Sequence, residues 1–183
     1  MELNTSKETI TNKSAIKIKK RDGRLEDLDI DKIHFVVEEA CEDLAGVSSS
    51  QIEINANIQF YDGMTTKEVQ QILVRSANDL ISLEAPNYQY AAARLLSYDV
   101  RKEAHGQYEY MPLLKLIVRN IKAGVYDRGI VEQYNKVEIK KMNTWIKRER
   151  DLDFTYAGLR QVVDKYLVQD RSSGDLFETP QDI

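Results

Sequence analysis

The sequence is poor in residues that cross-link chains, interrupt helices or bind metals. Among 183 residues it has one cysteine, two histidines, three prolines and eight glycines. A single cysteine, Cys41, excludes an internal disulfide and a cysteine-rich zinc cluster. Its spacing along a helical pattern predicts a buried, inert thiol. The scarcity of glycine and proline favours a helical protein.

Long apolar runs and an excess of positive charge are also absent. No segment approaches the roughly 20 consecutive apolar residues of a membrane span, and the polar start, residues 1–14, lacks the apolar core of a signal peptide. We therefore expect a cytoplasmic protein with a disordered tail at residues 1–14. The net charge of −4 argues against general nucleic-acid binding but still allows a local anion site.

Signatures of common catalytic sites are missing. The chain has neither the P-loop nor the G-x-G-x-x-G pattern. His34 and His105 have no partner at metal-ligand spacing, which indicates ordinary histidines. The carboxylates of segment 26–31 lack the glycine and terminal glutamate of a calcium-binding loop. They are more simply explained by a hairpin followed by a helix start.

A basic hairpin is the first positive signal. Two strand-like runs, 15–20 and 25–28, flank Asp22-Gly23, a pair that favours a tight turn. The first run alternates apolar and lysine side chains, and Lys20 and Arg21 follow at the turn. These residues alone allow two interpretations. They form either a binding surface for phosphate or a solvated edge strand whose lysines prevent edge-to-edge pairing.

Capping residues and apolar periodicity predict four helices after the hairpin. The predicted limits are Asp29 or Asp31 to Gly46, Ser48 or Ser50 to Asp62-Gly63, Thr65 to Ile81, and Pro86 to Gly106. Residues 51–58 also alternate every second position, so a strand is an alternative there. A hairpin over four short helices is about the smallest unit that folds alone, and we assign residues 15–106 to it.

From residue 107 onward the pattern changes. Apolar periodicity predicts helices over 111–123, within 130–149 and over 155–166. The runs 167–169 and 176–178 flank a polar turn and predict a second hairpin. Because nothing follows in the sequence to cover this hairpin, and because the predicted helix over 111–123 is apolar, we expect exposed apolar surface and hence self-association or poor solubility.

Five segments give the chain a family resemblance. In order they are KKRDG, LDIDKIH, IQFYDGMTTKEV, APNYQYAAARLLSYDVRKEAHGQYE and DFTYAGLRQVVDKYLVQDRSSGDLFETPQ. From about Ala15 to Gln181, the chain resembles the N-terminal part of the large (alpha) subunit of class Ia aerobic ribonucleotide reductase. The resemblance implies a mainly α (α+β) fold. An ATP-cone over 15–106, in which a β-hairpin caps a small helical bundle, precedes a helical segment over 107–183 that ends in a short hairpin.

The resemblance also implies a regulatory function. In that family the cone binds ATP as activator or dATP as inhibitor, with Mg²⁺, and so controls overall activity in deoxyribonucleotide synthesis. The implied partners are the remainder of the large subunit, in the same or a separate chain, and the small radical-generating subunit. Neither nucleic acid nor membrane is an expected partner.

Thirteen residues correspond to the family's nucleotide site. Lys20 and Arg21 match the basic pair that meets the triphosphate, and Lys32 and Thr66 match further phosphate contacts. Lys102 matches the cation contributed by the fourth helix. Glu26 matches an acidic residue of the closing loop. The remaining matches are walls or neighbours of the nucleotide: Ile18, Leu28, Asp29, Ile33, Val69, Gln70 and Tyr98. Taken singly, these residues also have ordinary interpretations as solvated charges, a helix cap or core.

Two positions depart from the family pattern. Asp29 stands where the family often has asparagine, and Gln70 stands where it often has histidine. An extra carboxylate near a nucleotide weakens its binding or shifts its base and sugar preference. The alternative function is therefore a structural or docking helical domain with a degenerate nucleotide site.

Catalysis by this chain alone is not expected. Ribonucleotide reduction in the family requires several cysteines and a catalytic barrel, and Cys41 lies in the cone pattern. We therefore assign no catalytic residue and no metal ligand. Residues 181–183 fall where the family continues into an apolar helix, so we expect a split gene, a frameshift, an interrupted reading frame or a truncation.

Overall fold

The computed structural model describes residues 16–183 and shows a mainly helical fold with a small sheet. The tail predicted for residues 1–14 lies outside the described residues. The elements are β1 Lys17–Lys19, β2 Leu25–Asp27, α1 Ile30–Cys41, α2 Ser49–Asn57, β3 Met64–Thr65, α3 Thr66–Asn78, α4 Tyr88–His105, α5 Leu113–Lys122, α6 Gly129–Gln133, α7 Lys136–Asn143, a 3-10 helix Arg148–Asp153 and α8 Tyr156–Lys165.

The N-terminal hairpin forms where the sequence predicts it. Strands β1 and β2 are antiparallel, with Ile18 opposite Glu26. Gly23 adopts φ +85°, which favours glycine, and its N–H donates to the Lys20 carbonyl at 2.9 Å. Strand β3 was not predicted. It pairs in parallel with β1, placing Met64 beside Ile18, and two residues are too few to show a strand period.

The first two helices follow the predicted starts but not the predicted ends. Asp29 caps α1, since its Oδ1 accepts from Lys32 N–H at 3.1 Å. The helix ends at Cys41 rather than Gly46, because Asp43 already adopts a left-handed φ of 58°. Ser48 precedes α2 without a side-chain cap, so neither predicted capping box forms. Helix α2 excludes the strand alternative for residues 51–58.

The third and fourth helices have the cleanest boundaries. Thr65 and Glu68 form the predicted capping box, in which Glu68 N–H donates to Thr65 Oγ1 at 3.2 Å. In return, Thr65 N–H donates to Glu68 Oε2 at 2.7 Å. Helix α3 ends at Asn78, three residues before the predicted limit. Helix α4 ends where predicted, at Gly106, which has φ 71°.

Helix α4 is the centre of the core. It packs against α1 and α3 on the hairpin side and against α8 and the 3-10 helix on the other. Ala91, Ala92 and Ala93 are fully buried, which allows neighbouring elements to approach closely. The apolar cluster is continuous from Ile18 to Leu176. The two halves of the described chain therefore share one core.

The second hairpin is covered, contrary to expectation. It is reduced to a single bridge between Gln169 and Leu176, closed by Asp170 N–H donating to the Asp175 carbonyl at 2.9 Å. Leu167 and Leu176 are buried. On its outer side, Asn120 Nδ2 donates to the Phe177 carbonyl at 2.9 Å. Because α4 and α5 cover this segment, the expectation that the second hairpin is uncovered is wrong, whereas self-association stays a prediction.

The remaining helical predictions are close to the structure. The predicted helix 111–123 is α5, Leu113–Lys122, and segment 130–149 contains α7 and parts of α6 and the 3-10 helix. Thr155 caps α8 through Gly158 N–H. Within residues 16–183, none of the helices has both the length and the apolar character needed to cross a bilayer.

The capping box of α3 provides a stability test. We expect Thr65→Ala to lower the free energy of unfolding by about 1 kcal/mol, because it leaves the Glu68 N–H without its acceptor. Thr65→Ser retains the hydroxyl and serves as the matched control. Urea denaturation followed by circular dichroism measures both. Equal stability of the alanine and serine variants would show that the cap contributes nothing.

Candidate nucleotide site

A cavity of about 540 Å³ lies between the hairpin and helices α1, α3 and α4; we call it the hairpin cavity. Its volume is within the range of small-molecule sites. The structure brings ten of the thirteen predicted residues to its lining. They are Ile18, Lys20, Leu28, Asp29, Lys32, Ile33, Thr66, Val69, Gln70 and Lys102.

The lining combines apolar walls with cations. Ile18 and Val69 are buried and belong to the core, whereas Lys20, Lys32 and Lys102 come from three different elements. Apolar side chains suit the face of a nucleobase, and lysines suit phosphate oxygens. A nucleotide has both parts.

Three predicted residues do not line the hairpin cavity. Glu26 forms ion pairs with Lys20 at 3.4 Å and with Arg24 at 3.3 Å. Arg21 and Tyr98 instead line a smaller adjoining cavity of about 70 Å³, the side cavity. Arg21 Nη1 donates to the Lys102 carbonyl at 3.1 Å, so the hairpin tip is held against α4.

Tyr98 lies behind the hairpin cavity for a packing reason. Its ring is 5.4 Å from that of Tyr108, and the buried guanidinium of Arg101 lies 5.3 Å from the Tyr98 ring centre. Attraction between a cation and an aromatic face stabilises such a cluster. Tyr98 therefore supports the cavity wall through Tyr108.

Sequence reasoning missed five residues of the lining. They are Asp31, Phe35, Val36, Leu73 and Tyr108. Tyr108 follows the Gly106 turn, and its hydroxyl contacts Glu39 of α1 and Arg148 of the 3-10 helix. Helical periodicity could have placed Val36 beside Ile33 and Leu73 beside Val69 and Gln70. No local pattern predicts that Tyr108 folds back.

The electrostatics favour an anion. Burial lowers the pKa of Lys102, and the nearby cations Arg21 and Lys20 lower it further. Positive charges crowd together here because the hairpin tip and α4 meet. An anion bound among them would relieve this repulsion.

Asp29 and Lys32 form an ion pair at the edge of the hairpin cavity. Lys32 Nζ lies 2.7 Å from Asp29 Oδ2, and this contact lowers the pKa of the carboxyl and raises that of the amine. Asp29 is also the cap of α1. Asp29 therefore still caps α1, and its negative charge partly neutralises Lys32, one of the cations that line the cavity.

Gln70 and Thr66 have different local roles. Gln70 Nε2 donates to the Leu95 carbonyl at 2.8 Å, so its amide nitrogen is engaged with α4. Thr66 is the first residue of α3 and lines the hairpin cavity. Because Thr65 is the cap, Thr66 is not, and the helix N-terminus adds a partial positive charge.

The histidines and the cysteine have ordinary surroundings. His34 lies 2.8 Å from Glu53, and the buried His105 lies 2.9 Å from Asp182. Burial raises the pKa of Cys41 to about 11, so the thiol stays protonated at neutral pH. Residues 16–183 contain no cluster of three histidine, cysteine or carboxylate side chains arranged for a metal ion.

Asp99 lines the side cavity, and the pKa of its carboxyl is strongly raised. Burial raises its pKa from 3.8 to about 6, and Glu103 adds to this effect, while Lys67 and Arg21 oppose it. The shift contributes stability below pH 4, and this contribution is lost as the pH rises through 6. At neutral pH the ionised Asp99 carboxylate therefore lowers the free energy of unfolding.

We expect Asp99→Asn to be more stable than the parent at pH 8, by up to about 3 kcal/mol. The difference should shrink to near zero below about pH 3, where Asp99 is protonated in both the folded and the unfolded state. Thermal unfolding at several pH values measures it. A variant that is less stable at pH 8 would show that the neighbouring cations outweigh burial.

Comparisons with known proteins agree with this geometry. Residues 16–103 match the family described as ATP cone domain. The chain is 44% identical over 164 residues to ribonucleoside-diphosphate reductase 1 subunit alpha of Escherichia coli, which covers 90% of this chain and 22% of that protein. The alpha subunits of Haemophilus influenzae and enterobacteria phage T4 are 39% and 40% identical over 93% and 91% of the chain.

The chain spans about a fifth of the length of these relatives, since the match covers 22% of each. The ATP-cone match includes the hairpin and α1 to α3 and most of α4, which together enclose the hairpin cavity. The chain thus contains an ATP-cone domain, and over nine-tenths of its length it corresponds to the N-terminal region of ribonucleoside-diphosphate reductase alpha subunits.

Proposed function

We propose that this chain is a regulatory part of a ribonucleoside-diphosphate reductase large subunit and binds ATP or dATP in the hairpin cavity. The observation that carries the proposal is the convergence of Lys20, Lys32 and Lys102 on an apolar cavity inside an ATP-cone domain. The nucleotide acts as an effector that is bound and released unchanged.

The chemistry of the cavity supports a triphosphate with Mg²⁺. A nucleoside triphosphate carries about four negative charges, which lysines and one divalent cation together neutralise. The crowded cations that lower the pKa of Lys102 gain a counter-charge when it binds. The adenine base lies against apolar residues such as Leu28 and Ile33.

The partners follow from the similarity to alpha subunits. Catalysis requires the remainder of a large subunit, in the same or another chain, and a small radical-generating subunit. Nucleotide occupancy changes how these parts associate and so sets the rate of deoxyribonucleotide synthesis, which takes place in the cytoplasm. The similarity supports this proposal, since the relatives are reductase alpha subunits that extend well beyond the matched region.

Isothermal titration calorimetry with Mg²⁺ tests nucleotide binding. We expect ATP or dATP to bind saturably at one site per chain. Lys102→Gln should weaken binding at least about tenfold, because it removes a charge-assisted contact to phosphate. Lys136→Gln, on the exposed start of α7, is the matched control and should match the parent.

A titration with no binding heat at about millimolar nucleotide, from a chain whose circular dichroism spectrum shows that it is folded, would contradict the proposal. It would support the alternative of a structural or docking domain. The specific observations behind that alternative are the Asp29–Lys32 ion pair and the engaged amide of Gln70.

Asp29→Asn separates the two roles of this residue. Asparagine caps a helix as well as aspartate does, but it cannot neutralise Lys32. We expect ATP to bind about fivefold more tightly, because one nearby negative charge is removed. Asp29→Ala is the comparison that also loses the cap and destabilises the chain. Weaker binding by Asp29→Asn would show that Lys32 is held in place by its partner.

A further inference from the structure

A second and larger cavity, of about 720 Å³, opens on the other side of the hairpin tip; we call it the basic cleft. Its walls are the hairpin tip, the start of α3, the ends of α4 and α5, and the second hairpin. The charged residues that line it are Lys19, Lys20, Arg21, Lys67, Glu103, Arg119 and Asp175.

The basic cleft concentrates positive charge in an acidic protein. Five cationic and two carboxylate side chains give it a charge of +3, whereas the whole chain carries −4. A concave surface lined by one sign of charge focuses the field and attracts ions of the opposite sign. The cleft therefore has the electrostatics of an anion site.

Both carboxylates of the cleft already have partners. Glu103 lies 2.8 Å from Lys67 Nζ and also accepts from Leu176 N–H at 3.3 Å. Asp175 accepts from the Ser173 hydroxyl at 2.7 Å. Lys19, by contrast, forms no ion pair with any other residue in the range 16–183. Its charge is available to a ligand.

The floor of the cleft is held in place by Arg119. Its guanidinium donates to the carbonyls of Ala104 at 2.7 Å and Phe177 at 3.1 Å. Arg119 thus ties α5 to the end of α4 and to the second hairpin while keeping its positive charge. The cleft is built partly from residues beyond 103, outside the range matched by the ATP-cone family.

The lining indicates the ligand class. Both cavities have apolar wall residues, but the charged side chains sum to +3 in the basic cleft and to only +1 in the hairpin cavity, where Asp29 and Asp31 offset three lysines. We propose that the basic cleft binds a multivalent phosphate anion. Lys19 and Lys67 contact it, and Glu103 limits its affinity. The proposal does not require the hairpin cavity to be occupied.

Two sources of this anion share the same chemistry. Lys20 and Thr66 line both the basic cleft and the hairpin cavity. The ligand is therefore either the phosphate chain of a nucleotide in the hairpin cavity or a separate phosphate compound. Variants confined to the cleft distinguish these sources.

The probe is inorganic tripolyphosphate, titrated calorimetrically into the full chain without nucleotide at low ionic strength. We expect saturable binding. Lys19→Gln should weaken it about fivefold, and Glu103→Gln should tighten it by a similar factor, because each changes one charge near the anion. Lys19→Arg should restore parental affinity. Lys102 lies beside Arg21 and Lys20 but does not line the basic cleft, so Lys102→Gln should weaken tripolyphosphate binding less than Lys19→Gln does.

ATP affinity of the same variants identifies the source. If Lys19→Gln also weakens ATP binding, the phosphate chain of the nucleotide occupies the basic cleft. If the affinity for ATP is unchanged, the ligand of the cleft is a separate phosphate compound. Lack of saturable tripolyphosphate binding would overturn the proposal. Equal affinity of the parent, Lys19→Gln and Glu103→Gln would do so too, as would a larger loss in Lys102→Gln than in Lys19→Gln. Loss of ATP binding by Lys102→Gln with tripolyphosphate binding retained would show that the basic cleft binds phosphate independently of the nucleotide site in the hairpin cavity.

Discussion

The contact between the hairpin tip and the last turn of α4 is the constraint on which both cavities depend. Arg21 Nη1 donates to the carbonyl of Lys102 across 81 residues of sequence. Carbonyl groups in the last turn of a helix carry partial negative charge, which favours a guanidinium there. Because Lys20 precedes Arg21, this one contact gathers three cations at the junction of the hairpin cavity and the basic cleft.

Local chemistry accounts for what the sequence could predict. The Asp22-Gly23 turn, the Asp29 cap, the Thr65 capping box and the Gly106 stop each depend on residues a few positions apart, and all four formed. The composition of the hairpin cavity followed from family resemblance, because ten assigned residues share its lining. Some local predictions failed as well, namely the Gly46 helix end and the capping boxes at Ser48 and Ser50, but most failures were contacts between distant segments. The parallel strand β3, the return of Tyr108 and the cover over the second hairpin leave no local pattern.

The two positions at which the resemblance implies a departure, Asp29 and Gln70, make definite contacts in the structure. Asp29 satisfies the start of α1 as asparagine would, and its extra charge is matched by Lys32. Gln70 bonds to a carbonyl in the middle of α4 and so ties α3 to α4. Both side chains make definite contacts with their neighbours. The effect of these residues on nucleotide affinity therefore has to be separated from their effect on folding.

Helix α4 connects the hairpin to the rest of the chain. One side of it meets α1 and α3, and the other meets α8 and the 3-10 helix. The Tyr98, Arg101 and Tyr108 cluster lies on this helix or just after it and contacts Arg148 of the second half. Closely packed interiors transmit displacement because they contain little free volume. The proposed ligand, bound between Lys20 and Lys102, would therefore contact the same helix that packs against the second half.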